Sequence, residues 1–262
     1  MLSILYNNPM KIEDLVTYTS NLLELETYRE VDASLNGLQV GRPGKEIHKV
    51  CFAVDASLRT FKAAARKGAD AVFVHHGLFW GTPLSVTGSH YERIRFLLEH
   101  DMALLAAHLP LDAHAKLGNN ATMARLLDLQ DIQPFGMYHG LPIGFKGTLV
   151  TPESAIGMAE KLHLSNEQGL HILAFGPEKI STVGIVSGGA TFEVMQAIDQ
   201  KLDAYITGEA GHSVYAACEE NHITMICGGH YATEVFGVQQ LASHFAKELK
   251  LETEFLALPT SL

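Results

Sequence analysis

Apolar positions change period along the chain, and each change marks an element. Residues 11–26, KIEDLVTYTSNLLELE, repeat at helical spacing. NGLQVG at 36–41 reads as a turn entering an extended segment. KVCFAVD at 49–55 is an apolar run of strand length. ASLRTFKAAARKG then predicts a helix that stops at Gly68, a usual C-terminal residue. AVFVHH is the next strand, YERIRFLLEHD at 91–101 the next helix and MALLAAHL a further strand. Strands alternating with helices predict a mostly parallel sheet covered by helices.

The second half repeats the alternation. TVGIVSGGA (182–190), DAYITGEAGH (203–212) and ITMICGGHYATE (223–234) read as strands running into loops. TFEVMQAIDQKL (191–202) and SVYAACEENH (213–222) read as helices. Thr60-Phe61 aligns with Thr191-Phe192, Asp70-Ala71 with Asp203-Ala204, and His108 with His230. A carboxylate follows both histidines at the same offset, in HLPLD and HYATE. The match predicts an internal duplication, although helix–strand units also resemble one another by convergence. Between the halves, 133–155 is rich in Gly and Pro and reads as a hairpin or linker, with FKGTLVTP as an edge strand.

Composition narrows the class. With 262 residues, 47% hydrophobic and 18% charged, the chain can bury a sizeable core in one large or two small domains. Its formal charge is −10, from 19 Lys+Arg and 29 Asp+Glu, without a basic stripe. Direct nucleic-acid binding is not expected, because phosphate contacts need clustered cations. Cys51, Cys218 and Cys227 are scattered and read as reduced core thiols of a cytosolic protein. MLSILYNNPMK lacks the basic start of a signal peptide. No apolar window approaches the roughly 18 residues that span a bilayer. The expected location is the cytoplasm, with no membrane partner.

The chemistry begins at DAVFVHHGLFWG, residues 70–81. Neighbouring strand residues point to opposite faces, so His75 and His76 are expected to serve two neighbouring ions rather than one. Gly77 is expected to let the backbone turn there. Ligands gather beyond the carboxyl ends of strands in open α/β sheets. HLPLDAH and GGHYATE occupy such ends, so the ligand set is His75, His76, Asp112, His230 and Glu234. Three imidazoles and two carboxylates suit a pair of divalent ions such as zinc, iron, manganese or nickel. Such a centre makes water a nucleophile at neutral pH, which is hydrolytic chemistry. Asp112 has a competing role as the cap of a helix starting near 119. Glu209, His108 and His212 are candidate catalytic proton carriers, and His114 also falls in a position to line the site. VSGGA at 186–190 offers a weak phosphate-binding signal, and Phe79 and Trp80 read as core cover.

NGLQVG, GADAVFVHHGLFW, HLPLDAHAKLGNNA, VSGGA, DAYITGE and GGHYATEVFGVQQLA stand in the order and spacing of a known family. From residue 11 onward the chain resembles the Nif-three-like family, the GTP cyclohydrolase I type 2 homologues. The resemblance implies an α/β fold of two similar, intertwined three-layer domains with mostly parallel or mixed sheets. It implies a dinuclear metal site in the cleft between them. The first domain would comprise 1–130 and 235–262, and the second 131–234. The same five ligands carry over, and the expected assembly is a ring-shaped homohexamer. Longer relatives insert a domain between the halves, so this is the short form.

Two functions compete on these grounds. One is a dinuclear metal-dependent hydrolase acting on a nucleotide or other phosphorylated small molecule, GTP among them. The other is a metal-binding adaptor or metal-handling protein without turnover, favoured by the lack of a clear substrate-reading motif.

Overall fold

Runs of β-branched and aromatic residues become the buried middle strands of two sheets in the computed structural model, which describes residues 9–262. The chain first forms β1 (Met10–Lys11), α1 (Ile12–Leu23), β2 (Gly37–Val40), β3 (Glu46–Ile47) and β4 (Lys49–Asp55). It continues through α2 (Leu58–Arg66), β5 (Ala71–His76), α3 (Gly88–Glu99), β6 (Ala103–Ala106) and α4 (Leu109–Ala113). Next come α5 (Asn119–Leu126), β7 (Leu129–Tyr138), β8 (Leu141–Glu153), α6 (Ala155–Lys161), β9 (His171–Ala174) and β10 (Ile180–Ile185). The last elements are α7 (Val194–Asp199), β11 (Ala204–Thr207), α8 (Tyr215–Glu220), β12 (Thr224–Cys227), α9 (His230–His244) and β13 (Glu252–Phe255).

Two compact units result. The first holds residues up to Leu111 together with Val238–Leu258; the second holds Asp112–Gly237 and Pro259–Leu262. In the first, a five-stranded sheet runs β13-β4-β5-β6-β2. Its first four strands are mutually parallel and β2 is antiparallel to β6. Val50 to Val54 and Ala71 to His75 are buried on both faces, as expected of strands with helices on either side. Phe61, Leu97 and Leu104 fill the core of this unit. The side chain of Ser57 accepts a hydrogen bond from Thr60 N–H and caps α2, while Gly68, at φ +69°, follows the helix.

The second unit has a six-stranded sheet of order β7-β8-β10-β11-β12-β9. β10, β11 and β12 are parallel, and β8 and β9 flank them antiparallel. The architecture is therefore mixed α/β. The reading of FKGTLVTP as an edge strand fails: β8 lies between β7 and β10. β7 takes the edge, where Pro134 has no N–H to offer a further neighbour. The hairpin joining them turns at His139 and Gly140, both at positive φ.

The aligned halves share local devices. Asp70 accepts hydrogen bonds from His48 N–H and Lys49 N–H at the start of β4, and Asp203 accepts from Ser181 N–H and Thr182 N–H at the start of β10. The aligned phenylalanines part company: Phe61 is fully buried, whereas Phe192 is 65% exposed. All three cysteines are free and buried. Burial pushes the Cys51 thiol up to about 11 and that of Cys227 up to about 12. Residues 1–8 of the N-terminal stretch read for a targeting signal lie outside the described residues. Among the described residues, no helix is long and apolar enough to cross a membrane.

Candidate metal centre

In each unit three parallel strands end side by side, and the chemistry-bearing residues follow those ends. In the first unit β5 delivers His75, fully buried, and His76, half-buried. His108 follows β6. The rings of His75 and His76 lie 4.6 Å apart, and His108 lies 5.1 and 5.7 Å from them. One donor atom from each of the three falls within 4.8 Å of the others, a grouping suited to a metal ion. Gly77 spares the chain a Cβ clash after the histidines, as expected. Its φ is not in the left-handed region, but a Cβ there would collide with the side chain of Gln39. Gln39 Oε1 accepts from Leu78 N–H at 2.7 Å and so pins the loop after the histidines.

Each of these three imidazoles has an acceptor at Nδ1. His75 Nδ1 meets the Ala107 carbonyl at 3.0 Å, and His76 Nδ1 meets Asp55 Oδ1 at 2.9 Å. Asp55 ends β4 directly opposite His76 in the parallel register. His108 Nδ1 meets Asp32 Oδ1 at 2.9 Å. Burial raises the Asp32 carboxyl, but hydrogen bonds from His108, Asn36 and Ser34 outweigh it and hold the group below its ordinary value. Trp80 donates from Nε1 to the Gly77 carbonyl and packs edge-to-face on His108 at 4.9 Å; it is 36% exposed. Phe79 packs against the first unit's core, as read from the sequence.

The second unit gathers the remaining ligands expected from the sequence. Asp112 is buried, and its Oδ1 accepts from Asn119 Nδ2 and Ser187 Oγ, both at 2.8 Å. It does not cap α5, whose N-cap is Gly118. Asn119 and Asn120 are fully buried and hold this corner through Gly237 N–H and Ser187 N–H. His230 opens α9, and Glu234 lies one turn later, with His230 Nε2 3.2 Å from Glu234 Oε1. A carboxylate oxygen of Asp112 lies within 4.8 Å of one from Glu234. His230 Nδ1 meets Glu209 Oε1 at 2.6 Å. Gly188, at φ +68°, lies so close that a Cβ would collide with Glu234 Oε1.

Of the proposed proton carriers, His108 joins a donor group and Glu209 is engaged with His230. His212 is exposed at the start of a short 3₁₀ turn and belongs to no donor group among the described residues. His114 Nδ1 accepts from Lys116 N–H and Leu117 N–H within its own turn. Sequence reasoning missed Asp32, Asp55, Ser187 and the Asn119–Asn120 pair. The one available signal was Asp55, a carboxylate ending an apolar strand next to the HH strand.

These residues fit a metal. His75, His76 and His230 each meet an acceptor at Nδ1, an arrangement that leaves Nε2 for an ion. Outer acceptors of this kind accompany metal-binding imidazoles.

Comparison with known proteins points to one family. The family model Duf34/NIF3 (NGG1p interacting factor 3) matches residues 10–261. The GTP cyclohydrolase 1 type 2 homolog of Treponema pallidum is 38% identical, covering 97% of this chain and 100% of its own. That of Deinococcus radiodurans is 41% identical, covering 95% and 94%. The crystal structure of TTHA1606 from Thermus thermophilus superposes with a TM-score of 0.87 at 36% identity, covering 97% of this chain and all of its own.

Proposed function

The chain belongs to the Duf34/NIF3 family, and from that premise we propose a dinuclear metal-dependent hydrolase acting on a nucleotide or another phosphorylated small molecule. His75, His76, Asp112, His230 and Glu234 hold two divalent ions in this reading. GTP is the first substrate to try, because the relatives' names carry it. The observation that carries the reading is the shared Nδ1 engagement of His75, His76 and His230. When bound, paired divalent ions supply Lewis acidity that polarises a phosphoryl or carbonyl oxygen and activates water near neutral pH.

The chain's own residues divide the remaining work. Asp55 and Glu209 orient His76 and His230 through Nδ1. Asn119 and Ser187 fix one oxygen of Asp112, so the other oxygen is the one presented. His108 stands beside His75 and His76 as the proton carrier. Family membership also carries the expectation of a homohexamer and a cytoplasmic location.

A second reading, metal handling without turnover, gains from one observation. Glu209, a named proton carrier, is committed to His230. Metal content per chain, together with turnover of GTP and a phosphoester panel, tests both readings. The comparison is between the protein purified without chelator and a His76→Ala, Glu234→Ala double variant. Near two ions with turnover lost in the variant supports the hydrolase. Near two ions with no turnover on any substrate supports metal handling. Less than one ion in both proteins defeats both.

A further inference from the structure

NGLQVG and the residues just before it have no part in the function proposed above, yet they hold a buried charge. The Asp32 side chain is 1% exposed. Its Oδ1 accepts from Ser34 N–H and faces His108 Nδ1, both at 2.9 Å. Its Oδ2 accepts from Asn36 Nδ2 at 2.9 Å and Leu109 N–H at 3.0 Å. Asn36 Oδ1 in turn accepts from His108 N–H at 2.8 Å.

The two backbone N–H groups decide the chemistry. Each is a donor only, and one faces each oxygen of Asp32. Both oxygens therefore accept, which an amide cannot do and an ionised carboxylate does best, and against burial the same hydrogen bonds hold the group below its ordinary value. An acceptor-only oxygen facing His108 Nδ1 then requires that nitrogen to carry the hydrogen. Burying a carboxylate without a cationic side chain is costly unless its hydrogen bonds are complete, and here they are.

We propose that Asp32 is a positioning residue that locks His108 as the Nδ1–H tautomer, so that Nε2 is a permanent hydrogen-bond acceptor beside His75 and His76. His108 in this assignment receives a hydrogen bond from the reacting water or substrate hydroxyl and does not hold an ion. The arrangement follows the general logic of a base oriented by a buried carboxylate. What Nε2 meets rests on the hydrolase reading; the tautomer lock does not.

The test separates the two. Long-range ¹H–¹⁵N spectra of the metal-free, histidine-labelled protein report the tautomer of each ring, with His108 assigned by its loss in His108→Gln. The expected wild-type pattern is a single tautomer with protonated Nδ1 and bare Nε2. A protonated Nε2, or an averaged mixture, overturns the proposal. Asp32→Asn, if it folds, sets an amide hydrogen against a backbone N–H, and the single pattern gives way to a mixture. An unchanged pattern in that variant also overturns the proposal; if it does not fold, the wild-type spectrum decides. Metal content of His108→Gln is expected to equal that of wild type, and loss of an ion would make His108 a ligand instead. With a substrate in hand, Asp32→Asn is expected to lower kcat about 10²–10⁴-fold with little change in KM. Absence of turnover defeats the hydrolase reading and leaves the tautomer result standing.

Discussion

Replacing Glu209 with Gln removes the charge that meets His230 Nδ1 at 2.6 Å while keeping the shape of the side chain. Outer partners of this kind are worth about 10–100-fold in metal affinity. Competition with a chelating dye is expected to show that loss in Glu209→Gln, and an unchanged affinity would remove Glu209 from the metal-supporting set. Gly188→Ala probes the same corner from the backbone. The φ of +68° disfavours a side chain by about 1–2 kcal/mol, and the new methyl displaces Glu234. Chemical denaturation is expected to show the lost stability and metal analysis a reduced content. Single residues were unequally legible in the sequence. HHG and HYATE announce themselves because histidine and carboxylate combine at strand ends. Asp32 and Asp55 do not, because a lone Asp near a turn or strand end is common and its partner lies dozens of residues away. Gly77 was visible as a place with no room for a Cβ, but what crowds it was not, since the side chain of Gln39 comes from another strand.

Elements translate these positions into geometry. α2 starts three residues after Asp55, and its cap is the Ser57 hydroxyl, 3.1 Å from Thr60 N–H. Ser57→Ala is expected to cost about 1 kcal/mol in urea denaturation, the usual worth of such a cap. β4 and β12 each bury a thiol. Their protons are held to higher pH in the folded chain than the ordinary thiol value of 9.0. The unfolded chain therefore ionises first, and this contribution to stability is full below about pH 9 and is lost as pH rises through about 11 and 12. At pH 8 a disulfide reagent such as DTNB is expected to label none of the three cysteines until denaturant is added. The helix–strand alternation was readable because apolar runs and helical periods differ. The edge position of β7 was not, because pairing order depends on which strands meet and the local pattern of β8 fits an edge equally well.

For the whole molecule, an ion that binds only the folded chain adds to its stability. An ion present at 100 times its dissociation constant adds about 2.7 kcal/mol of stability. Chelation is accordingly expected to lower Tm by about 5–10 °C, restored on adding metal back. Calorimetry with and without chelator checks this, and an unchanged Tm would argue against a metal bound by the folded chain. The repeated pattern was legible at this scale, and Asp70 and Asp203 precede their strands with the same pair of backbone hydrogen bonds. The place of β13 was not. Its four residues, ETEF, carry too little apolar pattern to announce a strand, and the partner β4 lies about 200 positions earlier. That pairing has a consequence during synthesis. At about 5–20 residues per second, a ribosome needs about 10–40 s between making Asp55 and Glu252. Through that interval the outer side of β4 is an unpaired strand edge on a nascent chain, the feature that invites wrong partners. The second unit, apart from its last few residues, is made within the same interval. The first unit to begin is therefore the last to close its sheet, and the vulnerable period of this protein falls late in translation.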